Sequence, residues 1–473
     1  MKTIYKIILS LIFLTSSVAC DDYLDVNDNP NQLVEVPSGD LLLRGTLLAN
    51  AQVQQGHLAR TSMYYTGGLI GLQLVQETLY NYDYTPGDSN AVWGHIYNGI
   101  LVQNKEIRRI SSDVGRLQGI IDVSEALAVG TATSLFGDIP YSTAVPDNPG
   151  LDSEDPTLDA QADIYAALQT LLDNAIPKLQ NGSTTSNTND QDNYFGGDED
   201  GWIAAAYTLK ARYYLQTKQY GQALTNVAIG INSGSGTMSY NPVGEVDGNS
   251  NLLSNFVTSS RAGDMTGDGT FYRDLMDPAN IASRNNAKTD ETARRNYSFI
   301  SGDGEQADGI DDPTTPMKLV SYEENLLIWA ECLLRANNDV QGAIDKLNEL
   351  RAYLASGNAF NVLNGDPLLY DDYVLADFEA GGMENMDNIA TERAVLREII
   401  EERYVTGFST YMPFNDARRL RASDSDLIVP FPLNNGTTTV NPQRFLYAQE
   451  EINNNSNIPD PIPDLFAPTP VNQ

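Results

Sequence analysis

Along most of the chain, apolar residues recur three and four positions apart, the spacing that lines one face of a helix. The pattern predicts helices over Leu41–Gln55, Trp93–Ile110, Ser124–Phe136, Ala160–Leu179, Trp202–Thr217, Gly221–Ile231, Tyr322–Ala336, Val340–Leu354 and Thr391–Val405. Between these blocks lie Gly-, Asn-, Asp- and Ser-rich stretches: Asn181–Gly201, Asn232–Asn255, Arg261–Pro316 and Gly357–Met386. Connections this long without periodicity are uncommon in compact domains and tend to carry function. From Asn453 onward the Pro- and Asn-rich tail reads as an extended wrap.

Two stretches resemble each other. Ala211 to Ala223 and Ala330 to Ala343 each read as helix, polar turn, helix, with small residues where paired helices must approach. That is the logic of tetratricopeptide repeats, here in degenerate form because the Trp-Leu-Gly consensus is missing. One such unit cannot bury its own apolar face, so several are expected to stack. The fold class is therefore mainly α, with helix pairs in a curved scaffold and long irregular insertions.

The first residues form a separate pattern. Lys2 and Lys6 precede an apolar run, Ile7 to Val18, followed by Ala19-Cys20-Asp21-Asp22. This is a secretory leader, residues 1–19, too short to span a bilayer. Cys20 sits where lipoprotein processing attaches its acyl chains, although Ser17 replaces the usual Leu. The chain has two cysteines. With Cys20 acylated, Cys332 has no partner, and its apolar surroundings predict a buried, inert thiol.

Composition narrows the partners. With 29 basic and 63 acidic residues, the formal charge is −34. Such a field repels phosphate backbones and argues against nucleic-acid binding. Charged residues make up only 19% against 41% apolar, so the acidity belongs to a folded chain and not to a disordered tail.

Catalytic signatures are sparse. His57 and His95, the only histidines, stand in no metal-like or triad-like setting, and no phosphate loop or nucleophile elbow occurs. Glu401 and Glu402, adjacent on a helix, read as solvated surface. Two loops gather hard oxygen ligands suited to calcium, Asp264 to Gly269 and Asp303, Glu305, Asp308, Asp311 and Asp312, but neither has EF-hand spacing. No other cofactor is expected, and the chain reads as a non-enzyme.

Several runs coincide in order with a known group. They are Tyr23-Leu24-Asp25-Val26-Asn27-Asp28-Asn29-Pro30, Trp93-Gly94-His95-Ile96-Tyr97 and Leu135-Phe136-Gly137-Asp138-Ile139-Pro140-Tyr141. Phe195-Gly196-Gly197-Asp198, Leu209-Lys210-Ala211-Arg212, Asn348-Glu349-Leu350-Arg351, Glu398 to Arg403 and Phe414-Asn415-Asp416-Ala417-Arg418-Arg419 follow. Val429-Pro430-Phe431-Pro432 departs from the usual Pro-Ile-Pro. The chain resembles the SusD/RagB family of outer-membrane nutrient-binding lipoproteins, in its SusD-like branch. The resemblance implies one SusD-like domain over residues 20–473, with a variable segment near 232–317. It also implies a lipid-anchored place at the cell outer membrane, facing outward, and a glycan or peptide ligand. A SusC-like TonB-dependent barrel would be the partner. Other readings of the same chain are a helical-repeat adaptor and a surface hydrolase.

For a sugar, flat aromatic rings beside fixed polar groups are the natural site. Helical spacing places Trp202 and Trp329 in the core, whereas Trp93 follows a loop and is free to face outward. In that loop Tyr80, Tyr82 and Tyr84 alternate, and an extended backbone would aim all three rings one way. Asn81, Asp83 and Asp88 lie alongside. A packed Tyr-rich strand explains the pattern equally well; the resemblance favours the glycan platform. Phe271, Tyr272 and Arg273 in the variable segment would supply an opposing wall.

Overall fold

A computed structural model describes residues 38–146, 155–244, 249–258, 261–434 and 438–473. Cys20, the leader and the run Tyr23 to Pro30 lie outside the described residues.

The helical periodicity is realised almost segment for segment. The labelled helices are α1 (Asp40–Gln55), α2 (His57–Tyr65), α3 (Leu74–Tyr80), α4 (Gly115–Phe136), α5 (Gln161–Asn181), α6 (Glu199–Gln216), α7 (Tyr220–Val227), α8 (Tyr322–Asn337), α9 (Val340–Ala355), α10 (Thr391–Thr406) and α11 (Met412–Leu420). Between α3 and α4 the chain runs helically through Asn90–Gly94 and Val102–Ile110, joined by a π-helical stretch, His95–Leu101. Among the described residues, strands pair only two at a time. The longest pair sets β1 (Met238–Tyr240) antiparallel to β2 (Met317–Val320), with Tyr240 opposite Met317.

α4 is mainly apolar and buried on every side from Leu117 to Phe136, its Asp122 and Glu125 paired with Arg108, which makes it the axis of the core. It packs against α1, α5 and α6. A Cβ at Gly130 would lie 2.2 Å from the Tyr213 hydroxyl. The glycine thus lets that ring cross α4 and donate to the Ala126 carbonyl at 2.6 Å.

The helix pairs α6/α7 and α8/α9 stack through an α7–α8 contact. Ala211, Ala223, Ala330 and Ala343, the small residues of the repeat, are all fully buried in these seams. Each pair turns through a left-handed residue, Lys218 in one and Asn338 in the other. Cys332 lies with Ala211, Leu215 and Val227 in the α6–α8 seam, and burial pushes its thiol well up. Trp202 is fully buried with its indole nitrogen on Asp192. Trp329, expected in the core, is only half-buried, with the Lys346 ammonium 3.7 Å over its ring.

α8, α10 and α11 are joined by buried charge. Arg419 grips both oxygens of Glu331 at 2.7 Å, while Arg403 and Arg419 share Asp416 at 2.7 Å. Burial alone would raise the Glu331 carboxyl, but Arg419, Arg335 and Arg403 override it and hold it at about 2. A second cluster corrects the surface reading of the Glu401-Glu402 pair. Glu402 is buried and binds Arg294 at 2.6 Å and Arg284 at 2.7 Å, because these arginines fold in from the variable segment. Glu401, at the rim of the cluster, stays 26% exposed.

Glu331→Gln should therefore strand buried guanidinium groups and cost about 3 kcal/mol at neutral pH, read from the urea midpoint. Because the folded pKa is depressed, this contribution is present above the unfolded value near 4.3 and lost as pH falls toward 2. The gap between variant and parent should close over that window.

Candidate functional site

The Tyr-rich loop does not form an outward platform. Tyr80 ends α3, and Tyr82 takes φ +67°, so the backbone turns where the sequence reading had it extended. Tyr82 and Tyr84 are buried. The Tyr82 hydroxyl donates to Asn441 at 2.6 Å and accepts from the Asn434 amide at 2.9 Å. Its ring meets Tyr65 edge-on at 5.5 Å, and Tyr84 meets Phe445 at 5.2 Å. The two rings anchor the C-terminal segment to the core, a better use of aromatic area than exposure to water. Tyr80 is half-buried against Tyr64, Asn81 caps α3, and Asp83 is exposed. Asp88 bonds the amide and hydroxyl of Thr85 in a capping box. Trp93 also points inward, its indole on Glu451 at 3.1 Å and its ring edge-on to Phe136 and Tyr447.

The opposing wall is likewise structural in part. Phe271 is half-buried, edge-on to Tyr404 at 6.0 Å. Arg273 is buried, donates to the Arg295 carbonyl and lies 4.2 Å over Phe299. Tyr272 stacks on Phe408 at 4.1 Å, and of the sequence-predicted residues it alone lines the enclosed cavity beside β2.

That cavity, of about 130 Å³, is assembled from segments far apart in sequence. Gln54 and Gln55 close α1, Arg212 and Gln216 face in from α6, β2 supplies Met317, Lys318 and Leu319, and α8 begins with Glu323 and Glu324. The variable segment adds Asn251, Arg294, Tyr297 and Ile310, and the α10–α11 junction adds residues from Arg403 to Asn415. One wall is apolar: Tyr297 and Phe360 stack at 5.5 Å, with 29° between their planes. Leu253, Met317, Leu319, Leu354, Val405 and Phe408 add to the apolar lining, and the polar groups set among them are tightly paired. Arg212 forks onto Glu324 with both contacts at 2.6 Å, the bidentate geometry in which Arg exceeds Lys. Lys318 bonds Glu323 at 2.5 Å and the Ala359 carbonyl at 2.8 Å. The Tyr411 hydroxyl joins Gln54 at 2.8 Å and Thr131 at 2.7 Å. Two buried atoms are left over: Glu323 Oε2 and Arg403 Nη1 have no hydrogen-bond partner among the described residues.

The lining contains neither His nor Cys. His57 lies beside Arg60 and Tyr84, where burial first and Arg60 second lower it to about 4. Several of the loop carboxylates suited to calcium are taken up by protein hydrogen bonds. Asp264 accepts from Gln73, Asp311 from the Gln306 amide, and Asp312 from Thr314. Among the described residues, no group of three or more His, Cys, Asp or Glu side chains gathers as a metal site. A stacked aromatic wall beside fixed donors and acceptors is equipped to hold a polyol.

A family model described as "Starch-binding associating with outer membrane", of the SusD-like group, matches residues 30–343. The chain belongs to this SusD-like family. No curated relative matches it by sequence. A chitin-binding SusD homologue from Flavobacterium johnsoniae superposes with TM-score 0.63 at 17% identity, over 92% of this chain and 98% of its own. A SusD/RagB family protein from Bacteroides thetaiotaomicron gives 0.62 at 18%, over 89% and 95%. A SusD homologue from Bacteroides fragilis gives 0.65 at 15%, over 92% and 100%. At these identities the likeness is one of fold. Within the SusD-like match, sequence reasoning quoted Arg212 as a family mark but missed its cavity. The signal was a charged residue on a helix face that otherwise reads apolar.

Asp311, next to the cavity residue Ile310, offers a test of the local electrostatics. Burial pushes its carboxyl up to about 6, and Glu305 and Asp312 push the same way. The folded state binds this proton more tightly than the unfolded one, so Asp311 destabilises at neutral pH and the penalty fades as pH falls through 6 toward 4. Asp311→Asn should raise Tm at neutral pH, by on the order of 1–3 kcal/mol of stability, with no gain near pH 4. Calorimetry at both pH values reads the difference.

Proposed function

We propose that this SusD-like protein is a lipid-anchored, outward-facing outer-membrane protein that captures oligo- or polysaccharide without altering it. It then delivers the glycan to a SusC-like TonB-dependent transporter. Family membership carries the reading, since the matching model is described as starch-binding and outer-membrane associated. The cavity supports it, with Tyr297 and Phe360 suited to a sugar's C–H face and polar groups suited to its hydroxyls.

Magnitudes fit capture and release. Covering roughly 100 Å² of apolar sugar surface is worth about 2.5 kcal/mol at 25 cal/mol per Å². With a few hydrogen bonds, less the cost of ordering the ligand, this leaves roughly millimolar to micromolar affinity. Long glycans recover avidity through repeated contacts.

Titration with neutral oligosaccharides should show saturable heat and, on chromatography, unchanged ligand. Turnover would make the protein a hydrolase, and binding of peptides in place of sugars would make it a peptide loader. Cys20→Ala should move the protein from the membrane fraction to the soluble exported fraction; retention would refute the anchor.

A further inference from the structure

Every ionised side chain that lines the cavity already has its counter-charge. Arg212 is held by Glu324, Lys318 by Glu323, Arg294 by Glu291 and Glu402, and Arg403 by Asp416, all with contacts between 2.5 and 2.7 Å. A charged ligand of either sign would shed its water next to like charge and find no unpaired counter-ion to offset the loss. An anion meets Glu323 and Glu324 within a chain of net charge −34. A cation meets Arg212, Arg294, Lys318 and Arg403.

What remains unsatisfied is one acceptor and one donor. Glu323 Oε2 and Arg403 Nη1 are buried without partners among the described residues, on residues only 3% and 2% exposed. Leaving such atoms unmet is costly, more so for charged groups, and a ligand that meets both recovers that cost. A hydroxyl donates to the first or accepts from the second, so a polyol serves both without bringing a charge.

We infer that the cavity selects an uncharged, polyhydroxylated ligand, a neutral sugar residue, over acidic sugars and free amino sugars. This rests on the glycan-capture reading and goes further, because that reading holds equally for a charged polysaccharide. Glu323 is the specificity-determining contact, and Lys318, 40% exposed at its side chain, keeps that contact electrically neutral.

The experiment is an NMR titration of the full chain with glucose, glucuronate and glucosamine at equal concentration near neutral pH. Glucose should bind, and the two charged sugars should bind at least about tenfold more weakly. Glu323→Gln should weaken glucose about tenfold while circular dichroism stays that of the parent. Lys318→Met, which leaves Glu323 without its counter-ion, should raise glucosamine binding relative to glucose. Equal binding of the charged sugars, or selectivity unmoved by Lys318→Met, overturns the inference. Glucose binding that ignores Glu323→Gln places the sugar elsewhere; it sinks this site while leaving capture standing. If none of the three sugars binds, the inference falls, and the oligosaccharide titration decides separately whether capture stands.

Discussion

The fold depends on where its few cations go. A chain with 29 basic and 63 acidic residues can spare carboxylates to water, but each glutamate it buries takes an arginine or a lysine with it. Glu331, Asp416, Glu324, Glu398 and Glu402 lie inside, each against Arg212, Arg284, Arg403 or Arg419. Where the partners come from different helices, as for Glu331 with Arg419 and Asp416 with Arg403, the pair also fixes how those helices meet. An apolar core would tolerate small slides between α8, α10 and α11; a forked guanidinium on a carboxylate does not.

This arrangement explains what the sequence made legible and what it hid. Amphipathic helices such as α1, α5, α8, α9 and α10 announce themselves through period, and their observed ends fall within about two residues of expectation. α11 escaped that reading because Asn415, Asp416, Arg418 and Arg419 fill positions that burial would normally assign to apolar residues. The same inversion concealed Glu402, whose charge reads as surface until Arg284 and Arg294 arrive from more than a hundred residues away. Patterning registers whether a residue prefers water, and it is blind to a buried partner supplied by a distant segment.

The site was hidden for a related reason. Three tyrosines at period two describe a strand face only if the backbone is extended, and the left-handed turn at Tyr82 removes that premise. The cavity uses no contiguous motif. Its aromatic wall joins Tyr297 to Phe360 across 63 positions, and its polar floor draws on α1, α6, α8 and α10. The variable segment, recognised as an insertion because it lacked periodicity, turns out to build much of the enclosure, with Asn251, Tyr272, Arg294 and Tyr297 on the walls.

Cys332 has a practical side. Sealed in the α6–α8 seam, its sulfur is shielded from solvent and its thiol is held protonated, so thiol-directed reagents have no nucleophile there. A fluorophore or spin label attached through a new cysteine at the cavity rim would report from one place without removal of the native residue.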